Sequence, residues 1–183
     1  VSRTGYTGED GFEIFCDPGK AENLWDELQE AAQVRDLGLT PAGLGARDVL
    51  RLEASLPLYG HELSESISPL EAGLDRFVSF DKGGFTGRDA LVQQKEKGLK
   101  RLLGGLILLD RGVIREGYPL FDGSEEIGVV SSGTYSPTLN KSIGMAFFLP
   151  GKAEIGREVD VMIRNKPHRA QIVKTPFYRR ESK

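Results

Sequence analysis

Between Leu102 and Val173 the chain is a series of short apolar runs cut by clusters of Gly, Pro, Asn and Asp, and this pattern constrains the fold more than any other feature. The runs are Leu102 to Leu109, Ile127 to Val130, Ile143 to Phe148, Val159 to Ile163 and Ala170 to Val173. Each is too short for a packed helix, so the spacing predicts the strands of a small sandwich or barrel. Val159-Asp160-Val161-Met162-Ile163 alternates with the period of two expected of a strand with one buried face, and Asn165-Lys166-Pro167 suits a hairpin connection.

The residues before Lys97 have a different character, and the shift near Lys97 to Lys100 marks a domain boundary. Three glycines between Gly5 and Gly11 predict a loop of tight turns. Phe12 to Cys16 then reads as a strand, with Phe12, Ile14 and Cys16 on one face and Glu13 and Phe15 on the other. Asp17-Pro18 supplies a cap and a proline suited to the first position of a helix. Ala21, Leu24, Trp25, Leu28, Ala31 and Ala32 recur at helical spacing, with Trp25 expected in the packed face. Thr40-Pro41 interrupts the chain, and Gly43 to Glu53 reads as a second helix, with Arg47 and Arg51 one turn apart on one face. Phe77, Val78 and Phe80 suggest a short strand, and Asp89 to Lys97 a polar helix ended by Gly98.

Composition excludes several functions. The 183 residues carry 24 Lys+Arg against 27 Asp+Glu, a net charge of −3, which is not the basic footprint of a nucleic-acid binder. Cys16 is the sole cysteine, so no internal disulfide can form and a reducing compartment is the default. With Cys16, His61 and His168 scattered, no metal-ligand spacing is present and no metal site is expected. The longest apolar run, from Leu102 to Leu109, falls far short of the roughly 20 residues of a membrane span. There is no G-x-S-x-G elbow and no Walker loop, and the glycines of the first loop do not follow the dinucleotide fingerprint. The chain opens at Val1 directly into a turn-rich stretch, so a preceding portion is expected.

One combination is suggestive. Tyr6 in the glycine loop, Glu13 on the following strand and Arg47 on the second helix form a set suited to a pterin or a similar amide-like heterocycle. A carboxylate accepts two hydrogen bonds from a planar N–H edge, an arginine donates to a ring carbonyl, and a tyrosine packs on an aromatic ring. Taken alone, the same residues fit better a solvent-facing strand carboxylate, a surface ion pair and a loop tyrosine covering a core edge, since surface charge is the common case.

The order of longer motifs is more specific: Arg3-Thr-Gly-Tyr-Thr-Gly-Glu-Asp-Gly-Phe-Glu13, Gly45-Ala-Arg-Asp-Val-Leu-Arg-Leu-Glu53, Leu58-Tyr-Gly60, Pro69-Leu-Glu-Ala-Gly-Leu74, Phe85-Thr-Gly-Arg-Asp-Ala-Leu91 and Ser132-Gly-Thr-Tyr-Ser-Pro137. Over nearly its whole length the chain resembles the C-terminal half of the glycine cleavage system T protein, the aminomethyltransferase family. The resemblance implies an α+β fold, with part of a ferredoxin-like folate-binding domain over residues 1–46, a segment of a discontinuous first domain over 47–97 and a six-stranded antiparallel β-barrel over 98–183. It implies tetrahydrofolate as cofactor and the lipoylated H protein as partner, with methylene transferred from the aminomethyl-lipoyl arm to tetrahydrofolate and ammonia released. By position, Glu13 matches the pterin-binding carboxylate, Tyr6 the tyrosine of the folate pocket and Arg47 the folate-contacting arginine. Arg179 and Arg180 are candidates for a contact to the folate tail. The family's catalytic aspartate belongs to the preceding half, so no catalytic residue is expected within these 183 and the piece alone is expected to be inactive. The implied location is the bacterial cytoplasm, or the mitochondrial matrix in a eukaryote.

Related readings are a non-catalytic folate-binding module and the folate domain of dimethylglycine or sarcosine dehydrogenases. The folate-dependent iron-sulphur assembly group fits less well, because its K-G-C-Y-x-G-Q-E signature would overlay Lys82-Gly-Gly-Phe-Thr-Gly-Arg-Asp89, with Gly84 in place of the cysteine and Arg88 in place of the glutamine.

Overall fold

The structure, a computed structural model, describes residues 1–180. Its fold class is α+β: three helices, α1 (Ala21–Val34), α2 (Leu44–Glu53) and α3 (Arg88–Lys97), precede six strands. These are β1 (Leu102–Leu108), β2 (Pro119–Asp122), β3 (Glu125–Ser136), β4 (Lys141–Phe148), β5 (Glu158–Ile163) and β6 (Lys166–Val173). All pairings are antiparallel, in the order β1-β4-β3-β2-β5-β6, and β6 pairs back onto β1 to close a barrel. Closure gives each strand a partner on both sides.

Apart from Leu109, every apolar run from Leu102 onward lies in a strand. The sixth strand, β2, was not signalled, because its four residues begin with proline and end with aspartate and offer no apolar run. β3 extends well past Val130, since its polar continuation is covered by other parts of the chain. At the β5–β6 hairpin the turn falls on Arg164 and Asn165, both with positive φ, so Lys166 and Pro167 already belong to β6.

Leu106, Ile114, Leu120, Ile127, Phe148 and Ile172 fill the barrel and are almost completely buried. Two glycines of β1 permit close packing from opposite sides. A Cβ at Gly104 would lie 2.9 Å from the Phe148 ring, and one at Gly105 would lie 2.6 Å from Thr175 Cγ2 and 3.0 Å from the Phe177 ring. The chain after β6, which passes through a cis Thr175–Pro176 bond, therefore lies directly on the barrel wall. A smaller cluster, Leu52, Ile143 and Met145 with Leu103, Ile107 and Phe177, joins α2 and this tail to the outer face of β1 and β4.

Helix α2 is held to the barrel through three consecutive buried residues, Arg51, Leu52 and Glu53. The Glu53 carboxylate accepts hydrogen bonds from Ser136 and, at 3.1 Å, from Thr138. Farther along, Glu71 is buried, its carboxylate pairs with Arg101 at 3.2 Å, and its carbonyl accepts the Leu103 N–H at 3.0 Å.

Outside this clamped region the expectations meet a different outcome. Phe12 to Cys16 is not a strand: the sole ladder contact is a bridge from Glu13 to Ser2, because no further segment of the described residues lies alongside. Phe12 and Phe15 are 70% and 78% exposed. Helix α1 forms as its periodicity predicts, after Asp17 caps the 3-10 turn Pro18–Lys20 by accepting the Gly19 N–H at 2.9 Å. Among the described residues, however, its apolar face meets no strand or helix other than that turn, and Trp25 is half exposed rather than packed. The strand suggested at Phe77, Val78 and Phe80 is instead the 3-10 turn Asp75–Phe77 and the irregular chain after it. Helix α3 ends at Gly98, which adopts the positive φ expected of a terminating glycine.

Candidate functional site

The glycine loop lies against α2 and the chain that follows it. Gly8 permits this approach, because a Cβ there would sit 2.8 Å from that of Ala54 and its φ of 77° suits glycine. Tyr6 is thereby brought to Pro57, whose carbonyl accepts the phenol hydroxyl at 2.6 Å. Arg47, exposed on α2, lays its guanidinium over the Tyr6 ring, 4.4 Å from the centroid. This cation–π contact joins two of the residues singled out from sequence. Burial pushes the Tyr6 phenol above its usual range, although Arg51 and Arg47 both pull the other way.

The stack separates two depressions. Tyr6 borders the larger, a cavity of about 830 Å³ walled by Leu56, Leu74, Phe77 and Met145, with Arg76 and Arg179 among its polar groups. Its size is that of a site for a cofactor or substrate. Arg47 borders the smaller, about 390 Å³, together with Arg51, His61, Arg115 and Glu116.

The other expected residues are distributed around this centre. Arg179 lines the larger cavity, whereas its neighbour Arg180 turns to the glycine loop, pairing with Asp10 at 2.7 Å and with Glu9 at 3.5 Å. Those carboxylates keep the Arg180 guanidinium even more firmly protonated than usual. The Tyr178 hydroxyl also donates to Glu9, at 3.0 Å, so the tail and the loop are tied together. Glu13 is exposed, lines neither depression and accepts a hydrogen bond from Thr4. It belongs to the same loop as Tyr6 but is not brought into the stack.

Sequence reasoning missed the most deeply buried charges. The Arg51 side chain is 2% exposed and that of Glu62 is 0% exposed, and they pair at 3.0 Å. Arg51 also bonds Asp48 at 2.8 Å and Ser132 at 2.9 Å, and Glu62 takes the Leu58 N–H at 3.0 Å and the Ser131 hydroxyl at 2.6 Å. The available signal was Arg51 set directly between Leu50 and Leu52. Among the described residues no cluster of His, Cys, Asp and Glu could hold a metal ion.

Two family models match, that of the GCVT N-terminal domain over residues 1–82 and that of the glycine cleavage T-protein C-terminal barrel domain over residues 100–179. The chain belongs to the glycine cleavage T-protein family. An aminomethyltransferase of Moorella thermoacetica is 54% identical over 183 residues, which is all of this chain and 50% of the relative. Another, of Caldanaerobacter subterraneus subsp. tengcongensis, is 55% identical over all of this chain and 48% of its own length. The crystal structure of glycine cleavage system aminomethyltransferase T from Bartonella henselae superposes with a TM-score of 0.88 at 35% identity, covering 97% of this chain and 49% of that one. The chain thus spans about half the length of the curated relatives it matches. These T-protein relatives are bacterial, and among the described residues no helix is long and apolar enough to cross a membrane.

Proposed function

We propose that this chain supplies the folate-binding part of a tetrahydrofolate-dependent aminomethyltransferase. In this reading the methylene of the aminomethyl-lipoyl arm of the H protein passes to tetrahydrofolate, and ammonia is released. The observation that carries it is the Tyr6–Arg47 stack beside a cavity of about 830 Å³ with Arg179 on its wall. An aromatic face, a guanidinium and an apolar lining suit a flat heterocycle joined to an anionic tail.

Bound tetrahydrofolate would take up the one-carbon unit. The work of this chain's residues is to bind and orient it: Tyr6 offers a ring face whose tilt is set by Pro57, Arg47 a donor, Arg179 a charge for the tail, and Glu13 a carboxylate for the pterin edge. Arg180, committed to Asp10 and Glu9, would support the loop rather than the ligand. Acid–base chemistry is assigned to an aspartate in the preceding half of the protein, and the division of residues 1–46 and 47–97 between a ferredoxin-like domain and a discontinuous first domain belongs to the same reading.

Calorimetric titration of tetrahydrofolate into the intact protein tests it. Glu13→Ala and Arg47→Ala should each weaken binding by about 1–3 kcal/mol by leaving a ligand group unpaired. Affinities equal to that of the unsubstituted protein would remove the residue concerned from the site. Ammonia release from aminomethylated H protein, measured on the intact protein, separates the enzyme from a folate-binding module without catalysis.

A further inference from the structure

In a regular strand adjacent side chains point to opposite faces, yet Ser131 and Ser132 both reach the same ion pair outside the barrel. The register explains this. Val130 is opposite Ala146 and Ser132 is opposite Met145, so Ser131 is the extra residue of a β-bulge between β3 and β4. The bulge aims two consecutive hydroxyls at one place, where Ser131 donates to Glu62 Oε1 and Ser132 accepts from Arg51 Nη2.

From this seat the contacts continue to the stack. Arg51 Nη1 donates to the Leu56 carbonyl at 3.4 Å, and Glu62 Oε2 accepts the Leu58 N–H at 3.0 Å. Pro57 lies between those two residues, and its carbonyl holds the Tyr6 hydroxyl. The Tyr6 ring carries Arg47, which stands one helical turn before Arg51 on α2. The contacts therefore close a ring that begins and ends at Arg51.

We propose that Arg51 and Glu62, seated on the Ser131 bulge, are positioning residues that fix the Tyr6–Arg47 stack between the two depressions. Stability alone gives little reason for such a pair, because apolar residues of similar volume often serve a buried site as well. What an apolar pair lacks is the ability to grip both the Leu56 carbonyl and the Leu58 N–H and so set the direction of the Pro57 carbonyl between them.

The consequence for ligand binding rests on the folate reading; the geometric claim does not. The test follows the δ-protons of Arg47 by NMR in the full 183-residue chain, where the Tyr6 ring current should displace them upfield and Tyr6→Leu should abolish the displacement. Glu62→Gln and Arg51→Lys should keep the barrel amide shifts while the displacement collapses toward that of Tyr6→Leu. The double variant Arg51→Met with Glu62→Leu should recover thermal stability without recovering the displacement. If Glu62→Gln does not fold, Ser131→Ala is read in its place and should reduce the displacement without unpairing the charges. A displacement retained in full by the folded single variants, or restored by the apolar double variant, overturns the proposal.

A parallel titration of tetrahydrofolate into the intact protein should show an affinity loss of roughly tenfold for Glu62→Gln, the size of a contact coupling. No change in affinity for either Glu13→Ala or Arg47→Ala would defeat the folate reading and leave the NMR result to decide this one.

Discussion

The barrel and the arm from Phe12 to Gly43 are built from residues of similar hydrophobicity, but only one of them has a core. Phe148 is 0% exposed inside a closed sheet, whereas Phe15 is 78% exposed on a segment with a single bridge to its neighbours. The difference lies in partners. Each barrel strand finds two others within the chain, and its alternating residues meet their counterparts across the interior. The arm's apolar face has no counterpart among the described residues: Phe12 and Leu37 remain largely accessible, and Trp25 and Leu28 about half so. Apolar sequence specifies burial only where the chain also provides something to be buried against.

Between the two lies the clamped region, residues 44–74, which is neither barrel nor arm. It is joined to the barrel by buried charges and by Leu52, so α2 shares the stability of the barrel rather than that of the arm. Amide hydrogen exchange on the isolated 183-residue chain should break the comparison most plainly. Barrel amides, and those of α2 that share its contacts, are expected to be protected by factors on the order of 10³ or more, with the arm and α3 near the unprotected limit. Uniform strong protection in a monomeric sample would show that the arm has a partner within the chain after all.

Truncation sharpens the same contrast in energy. Phe148→Ala should cost about 3–5 kcal/mol in urea unfolding because the closed barrel cannot collapse around the void. Trp25→Ala, on the half-exposed face of α1, should stay within about 0.5 kcal/mol of the original chain. Similar losses at the two positions would contradict the assignment of a core to one region only.

The smallest effect concerns the join. Burial holds the Tyr6 phenol above its usual value, so the folded state favours the protonated form. The resulting contribution to stability is complete below the unfolded value of about 10 and is lost as pH rises through the higher folded value. Stability should therefore fall slightly more steeply in alkali than it does for Tyr6→Phe, a difference read by urea unfolding between about pH 9 and pH 11. Identical alkaline profiles would mean that the glycine loop does not share in the cooperative unit.

What was legible in the sequence follows the same division. Strands such as Val159 to Ile163 could be read because alternation and flanking turns are local signals, and α1 because helical spacing and the Asp17-capped turn that leads into it are local too. Phe12 to Cys16 carries the same local signal, but a strand also needs a neighbour, and sequence says nothing of where one lies. At the candidate site, Tyr6 and Arg47 were paired by motif, and their contact is present. Of the Arg51–Glu62 pair only one half left a signal, Arg51 between Leu50 and Leu52, since a glutamate in an irregular stretch reads as surface. The bulge beneath it leaves no trace either, because Ser131-Ser132 looks like any polar end of a strand.

Gly105 has a consequence for the shape of the larger cavity. Leu103 and Gly104 of β1 line it together with Thr175, Pro176 and Arg179 of the tail. Because Gly105 has no side chain, that tail rests on bare backbone, and the absence of one carbon atom sets how closely Thr175 and Phe177 approach β1. The spacing between β1 and the tail residues that share this cavity is thus gauged by a single hydrogen atom on the barrel surface.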